Sequence, residues 1–152
     1  MTIVELNEKN FNDALNFLKK EMGALCEEME SSLPEDAEIQ SSFRGKSGDG
    51  ITYLFLEKGN CNALVTVDKP SCEIQNFAID FKVVNKTNLQ KILEFTLKQF
   101  SAVTLVFIWV NSLEKELLDL IEAYGFEYTG EQDYINKERF ISRYKYSFRR
   151  KR

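Results

Sequence analysis

The chain has 152 residues, 43% of them hydrophobic and 12% aromatic, which fits one compact domain, residues 1 to 152, with a core of its own. No histidine is present, which excludes Ser-His-Asp and Cys-His nucleophile systems and any histidine-ligated metal; no metal centre is expected, and chemistry falls to carboxylates, tyrosines, lysines, thiols or the backbone. The net charge of -4 hides an asymmetry, because residues 1 to 136 carry 12 basic and 23 acidic side chains while residues 137 to 152 carry 8 basic and one acidic.

The opening MTIVELNEKNF lacks the basic residues followed by an apolar stretch that mark a secretion signal, so a cytoplasmic protein is expected. Thr2 to Leu6 alternates as a short strand. From Asn10 to Met22, Phe11, Leu15, Phe17, Leu18 and Met22 fall near helical spacing, with Asn10 or Asn12 as the cap. Leu25 to Phe43 is acidic and is interrupted at Leu33-Pro34, where proline ends one helix and can open the next.

Arg44-Gly-Lys-Ser-Gly-Asp-Gly50 reads as a flexible loop. Its G-K-S lacks the earlier glycine of a phosphate loop, since that position is Gln40, and a helix rather than a strand precedes it. Ile51 to Glu57 and Cys61 to Val67 read as a hairpin across Lys58-Gly-Asn60, and Cys72 to Asp80 as a third antiparallel strand after the Asp68-Lys-Pro-Ser71 turn. A helix from about Thr87 to Phe100 follows. Val103 to Val110 is apolar on both faces, as in a strand covered by helices, and the surrounding run from Ala102 is too short to span a bilayer. A helix over Ser112 to Tyr124 and strands from Phe126 and Phe140 complete the order β-α-α-β-β-β-α-β-α-β-β. Cys26, Cys61 and Cys72 form no C-x-x-C pair and read as reduced packing thiols. In the last strand Arg143 and Lys145 lie on a face expected to be wet, and Arg149 to Arg152 form a basic tail.

Three short matches accompany this order: Asn76-Phe-Ala-Ile-Asp80, Val110-Asn111, and Leu120-Ile-Glu-Ala-Tyr-Gly-Phe126. Together they resemble the GNAT superfamily of acyl-CoA-dependent N-acyltransferases, with the best match from about residue 72 to 130. The resemblance implies an α/β (α+β) fold with a mixed, mostly antiparallel central sheet of about seven strands and four helices. It also implies acetyl-CoA as the cofactor, possible here though the site can have been lost, an amine as acceptor, and a cofactor site at Ala78, Ile79, Asp80, Lys86, Thr87, Asn88 and Asn111. In the family a glycine-rich loop at a helix start holds the cofactor pyrophosphate, because the backbone must approach closely and leave its N–H groups open.

Here the loop reads Asp80-Phe-Lys-Val-Val-Asn-Lys-Thr-Asn-Leu-Gln90. Placed without gaps, the family's arginine falls at Val84 and its glycines at Asn85, Thr87 and Leu89. Thr87-x-x-Gln90 has the form of a capping box that would close the helix end. The family's acid tyrosine falls at Ile121, its cofactor-contacting asparagine at Glu114 and its base at Gln75. Glu73 lies two residues before Gln75 on the same strand face and can replace it as base, or is an exposed strand carboxylate; Tyr124, or Tyr128, can serve as acid. Backbone groups at a splay or bulge near Ala78 to Asp80 would hold the pantetheine arm, and Phe107 and Trp109 would line or plug the cleft.

Three functions are held side by side: an N-acetyltransferase; a binding or regulatory module without catalysis, for a protein or peptide partner at the cleft or at Cys26-Glu-Glu-Met-Glu30; and nucleic-acid association through Arg139, Arg143, Lys145 and the tail, which the acidic body makes the least favoured. No membrane contact is expected.

Overall fold

The computed structural model describes residues 1–134 and 140–148. Its order is β1 (Thr2–Glu5), α1 (Phe11–Glu28), α2 (Asp36–Ser42), β2 (Ile51–Glu57), β3 (Asn60–Asp68), β4 (Glu73–Ile79), α3 (Lys86–Lys98), β5 (Leu105–Asn111), α4 (Lys115–Tyr124), β6 (Glu127–Tyr134) and β7 (Phe140–Ser147). This is the expected sequence of elements. The strands form one seven-stranded sheet in the order β1-β2-β3-β4-β5-β7-β6, antiparallel except for the β4–β5 pair. Among the described residues, no helix is long and apolar enough to cross a membrane.

Strand alternation divides the apolar residues between the two faces of the sheet. On one face Phe55, Val65, Ile74, Phe77, Ile79, Val106, Ile108 and Val110 meet Ile92, Leu93 and Leu97 of α3 and Leu117 and Ile121 of α4. On the other, Leu54 and Leu64 meet Ala14, Leu15, Phe17 and Leu18 of α1 and Ile39 of α2. The expectation that β5 is covered by helices on both faces is met on one: Val106, Ile108 and Val110 are buried in the core, while Leu105, Phe107 and Trp109 on the other face are only half-buried, with Arg143 against Phe107 and Trp109.

Three more local expectations are corrected. Helix α1 runs to Glu28 and ends where Glu30 adopts a left-handed φ of 56°, ahead of Pro34; proline therefore precedes the Glu35 cap of α2 instead of opening that helix. Residues 44 to 50 are tied to the sheet. The Lys46 N–H donates to Gln75 Oε1 at 2.7 Å, and the Ser47 hydroxyl and N–H donate to the two Asp68 carboxylate oxygens at 2.6 and 3.0 Å. Gly45 makes this docking possible, since at its φ of 67° a Cβ would sit 2.8 Å from Gln75 Oε1 and 2.9 Å from Asp68 Oδ2.

The third correction concerns β7, where Arg143 is not wet. It lies over the Phe107 ring at 3.9 Å and pairs with Glu131 at 3.2 Å and with Glu73 at 3.9 Å. Arg139 and the tail from Arg149 to Arg152 lie outside the described residues.

Burial alone would raise the Asp68 carboxyl, but hydrogen bonds from Ser47 and Ser71 outweigh it and hold the group below the ordinary aspartate range. A depressed carboxyl contributes stability above its unfolded pKa and loses it as pH falls through the folded one. Ser47→Ala is therefore expected to cost about 1–3 kcal/mol in urea unfolding at neutral pH, with the difference from wild type shrinking in acid.

Candidate functional site

The site begins with a failure of strand pairing. Only Glu73↔Phe107 and Ile74↔Ile108 join β4 to β5, with the Phe107 N–H donating to the Cys72 carbonyl at 2.8 Å. Beyond Ile74 the strands part. Strand β5 keeps all seven of its partners on β7, from Leu105↔Ser147 to Asn111↔Ile141, while β4 stays with β3. Between Val65↔Phe77 and Val67↔Ile74 the register shifts, so that Thr66 stands opposite both Gln75 and Asn76. The bulge therefore lies at Gln75–Asn76, earlier than the expected Ala78 to Asp80, and it bends β4 just where it leaves β5.

Antiparallel alternation identifies the freed backbone groups. The Asp80 N–H donates to the Asn62 carbonyl, which makes Asp80/Asn62 a hydrogen-bonded pair; Ala78/Leu64 is the next. The N–H and C=O of Phe77 and Ile79 then point to the opposite edge, where β5 is absent. Of the expected backbone contacts, Ile79 faces the opening, while the backbone of Ala78 and the Asp80 N–H are spent on β3 and the Asp80 carbonyl on the turn that follows.

The opening is a cleft of about 550 Å³ bounded by α1, β4 and the start of α4. Ala78 and Ile79 line it, as do Met22 and Leu25, together with four carboxylates, Glu21, Glu28, Glu114 and Glu116. Burial pushes the Glu21 carboxyl up, and nearby Asp80 adds to this against Lys20 and Lys82. Burial also raises Glu114, opposed by its hydrogen bond from the Asn111 N–H at 3.0 Å. Asn111 Oδ1 in return accepts the Leu113 N–H at 3.0 Å, so Asn111 and Glu114 close the turn that leads from β5 into α4, whose N-cap is Glu114. Sequence reading took Glu114 only as a like charge for phosphate. The spacing Asn-x-x-Glu was the visible signal of its bond to Asn111, but nothing local showed that it would face a cleft.

The expected catalytic pair is placed apart from this cleft lining. Glu73 is 7% exposed and is held by Lys46 Nζ at 3.3 Å, by the Gln75 amide at 3.1 Å and by Arg143; it is a buried ion-paired carboxylate and not a solvated one. Phe107 and Trp109 stand beside Arg143 on that same sheet face. Tyr124 ends α4 and lines a separate groove of about 490 Å³ between α3 and α4. Burial, Tyr146 and Glu94 all raise its phenol.

The start of α3 differs from the expected capping box. Asn85 is the cap, its Oδ1 accepting the Asn88 N–H at 2.8 Å, and Gln90 reaches Glu94 instead. Thr87 lies inside the first turn. The preceding turn is closed on Asp80, whose carbonyl accepts from Val83 and Val84 and whose Oδ1 accepts from Lys82. Val84, at the family's arginine position, is buried in the core. Among the described residues Asn85, Lys86 and Thr87 keep N–H groups without an acceptor at this helix end, and two carboxylates stand beside it: Asp80, which pairs with Lys20 at 3.5 Å, and Glu57, which accepts from the Asn88 amide. The residues present therefore fit a neutral pantetheine arm in the cleft better than a pyrophosphate at the helix, where four of the seven N–H groups from Lys82 to Asn88 are already engaged.

Asn85→Ala is expected to cost about 1 kcal/mol, read by denaturant unfolding. A raised carboxyl contributes stability below its unfolded pKa and loses it as pH rises through the folded one. Glu114→Gln retains an acceptor for Asn111 and cannot ionise, so its melting temperature should exceed wild type at neutral pH and converge with it in acid.

No family model matches the chain, and no curated protein matches it in sequence. Solved structures do match it in shape. A GNAT-family acetyltransferase from Bacillus cereus has a TM-score of 0.72 at 9% identity, covering 98% of each chain. Spermidine N-acetyltransferase from Vibrio cholerae, in complex with CoA and spermine, has a TM-score of 0.68 at 13% identity, covering 96% of this chain and 94% of the other. A phosphinothricin acetyltransferase from Sinorhizobium meliloti, in complex with acetyl-CoA, has a TM-score of 0.70 at 10% identity, covering 96% and 87%. The chain has the fold of the GNAT acetyltransferases.

Proposed function

We propose that this chain transfers an acetyl group from a pantetheine thioester to an amine in the cleft between β4 and β5. The observation that carries this reading is the splay itself, which leaves strand-edge donors and acceptors of Phe77 and Ile79 beside a cavity large enough for an extended arm and a small acceptor. The CoA and acetyl-CoA bound in two of the structures with this fold support the donor class.

The thioester supplies the activated acyl group. The edge of β4 holds the arm as an added strand would be held, by main-chain hydrogen bonds, and an N–H on that edge can face the thioester oxygen as charge develops there. Glu21 and Glu28 draw a cationic amine into the cleft. Glu114, with Oε1 engaged by Asn111 and a carboxyl raised by burial, takes the proton the amine must lose. Direct transfer forms no covalent enzyme intermediate, so positioning carries a large share of the acceleration.

The capped start of α3 favours a second reading, a binding module without catalysis. Calorimetry separates the two: heat on titrating acetyl-CoA, abolished by a bulky Ala78→Phe at the cleft wall, supports the transferase, and no heat at millimolar ligand removes it. Given an active enzyme, Glu114→Gln is expected to lower kcat/KM by about 10² to 10⁴ and to flatten the acid limb of the pH–rate profile. Glu21→Gln should mainly raise KM for the amine.

A further inference from the structure

We infer that the donor is recognised through its pantetheine arm and not through its nucleotide, so that an acyl-pantetheine thioester without the adenosine bisphosphate half of CoA binds and reacts as well as acetyl-CoA. This rests on the transferase reading above and specifies its donor.

Two parts of the structure carry it. The arm's half of the site is built, because the parted strands present Phe77 and Ile79 backbone groups to a neutral, amide-bearing chain. The phosphate half is partly closed. Of the N–H groups from Lys82 to Asn88, those of Lys82, Val83 and Val84 turn inward onto Asp80 and that of Asn88 is held by Asn85. The way out is also unfavourable to an anion. The cleft and the groove between α3 and α4 share Phe81 and Glu116, and Asp119 stands further along that groove with Lys86 as its cation. A diphosphate leaving the cleft would pass Glu116, with Lys115 as the one cation of the cleft lining, and find three open N–H groups, those of Asn85, Lys86 and Thr87, where the turn has already engaged four. A pantetheine arm carries no charge to be repelled.

Such an arm reaches the cleft either on free CoA or as the phosphopantetheine of a carrier protein, and the chemistry recognised is the same. The test is calorimetry and initial-rate measurement on the full chain with acetyl-CoA, S-acetylpantetheine, an acetylated carrier protein and adenosine bisphosphate. The expected result is a dissociation constant for S-acetylpantetheine within about threefold of that for acetyl-CoA, a difference under about 0.7 kcal/mol, with no competition from adenosine bisphosphate. A lower KM for the acetylated carrier than for either small donor identifies the carrier as the source; equal values identify free CoA. Binding of acetyl-CoA tenfold or more tighter than S-acetylpantetheine overturns the inference while sparing the transferase reading, and heat from neither thioester overturns both. Asn85→Gly, which frees the Asn88 N–H at little cost to the cap, is expected to shift preference toward acetyl-CoA; no shift would show that the cap is not what closes the phosphate site.

Discussion

The structure depends on where β4 stops pairing with β5. Parallel neighbours in a sheet ordinarily remain together because each unpaired N–H and C=O left away from water is costly. Here two residue pairs hold the strands at one end and none beyond it, so the sheet contains a wedge whose open side is lined by main chain. The shape of the cleft follows from this, and so does the position of α4, which is joined to Asn111, the last residue of β5, by one short turn.

What keeps the wedge from closing is a polar clamp at its narrow end. Asp68, Glu73, Gln75, Lys46, Ser47 and Arg143 join the residues 44 to 50, the β3–β4 turn and the centre of β7 into one network. A buried charge without its partner costs several kcal/mol, so the members fix one another's positions. Gln75 is the shared member: its side chain holds Lys46, Asp68 and Glu73, and its backbone forms the bulge. The clamp and the bend in β4 are thus one feature, and the burial of Glu73 follows from its partners in it, Lys46, Gln75 and Arg143.

The element order was legible because hydrophobic periodicity is local: α3 announces Ile92, Leu93 and Leu97 at helical spacing, and β5 announces a strand by its unbroken apolar run, although only its Val106, Ile108 and Val110 face is buried. The splay was legible only through the family resemblance, and its position came out several residues early, because whether two strands distant in sequence pair at a given residue has no local signature. The cap of α3 was misread for a related reason. Asn85 and Thr87 are both competent N-caps, and the choice fell to Val84, whose burial in the core fixes where the chain must begin to turn. Arg143 was misread because alternation gives the face of a residue but not what covers that face; here Phe107 and Glu73 arrive from other strands.

The energetics of the cleft set what kind of donor it can hold. Hydrogen bonds from N–H groups to a charged phosphate are worth about 1.5–3 kcal/mol each, and neutral ones about 0.5–1.5. A site that has turned four such N–H groups inward has given up strong contacts, and four neutral strand-edge groups at about 1 kcal/mol each supply only about 4 kcal/mol, against which the cost of association must be set. That is weak for a ligand diluted in solution. It is sufficient for one delivered at high local concentration by a tether, where association becomes an intramolecular event. On the transferase reading, a wedge whose phosphate end has engaged four of its seven N–H groups is therefore better matched to an arm brought to it than to a nucleotide captured from solution.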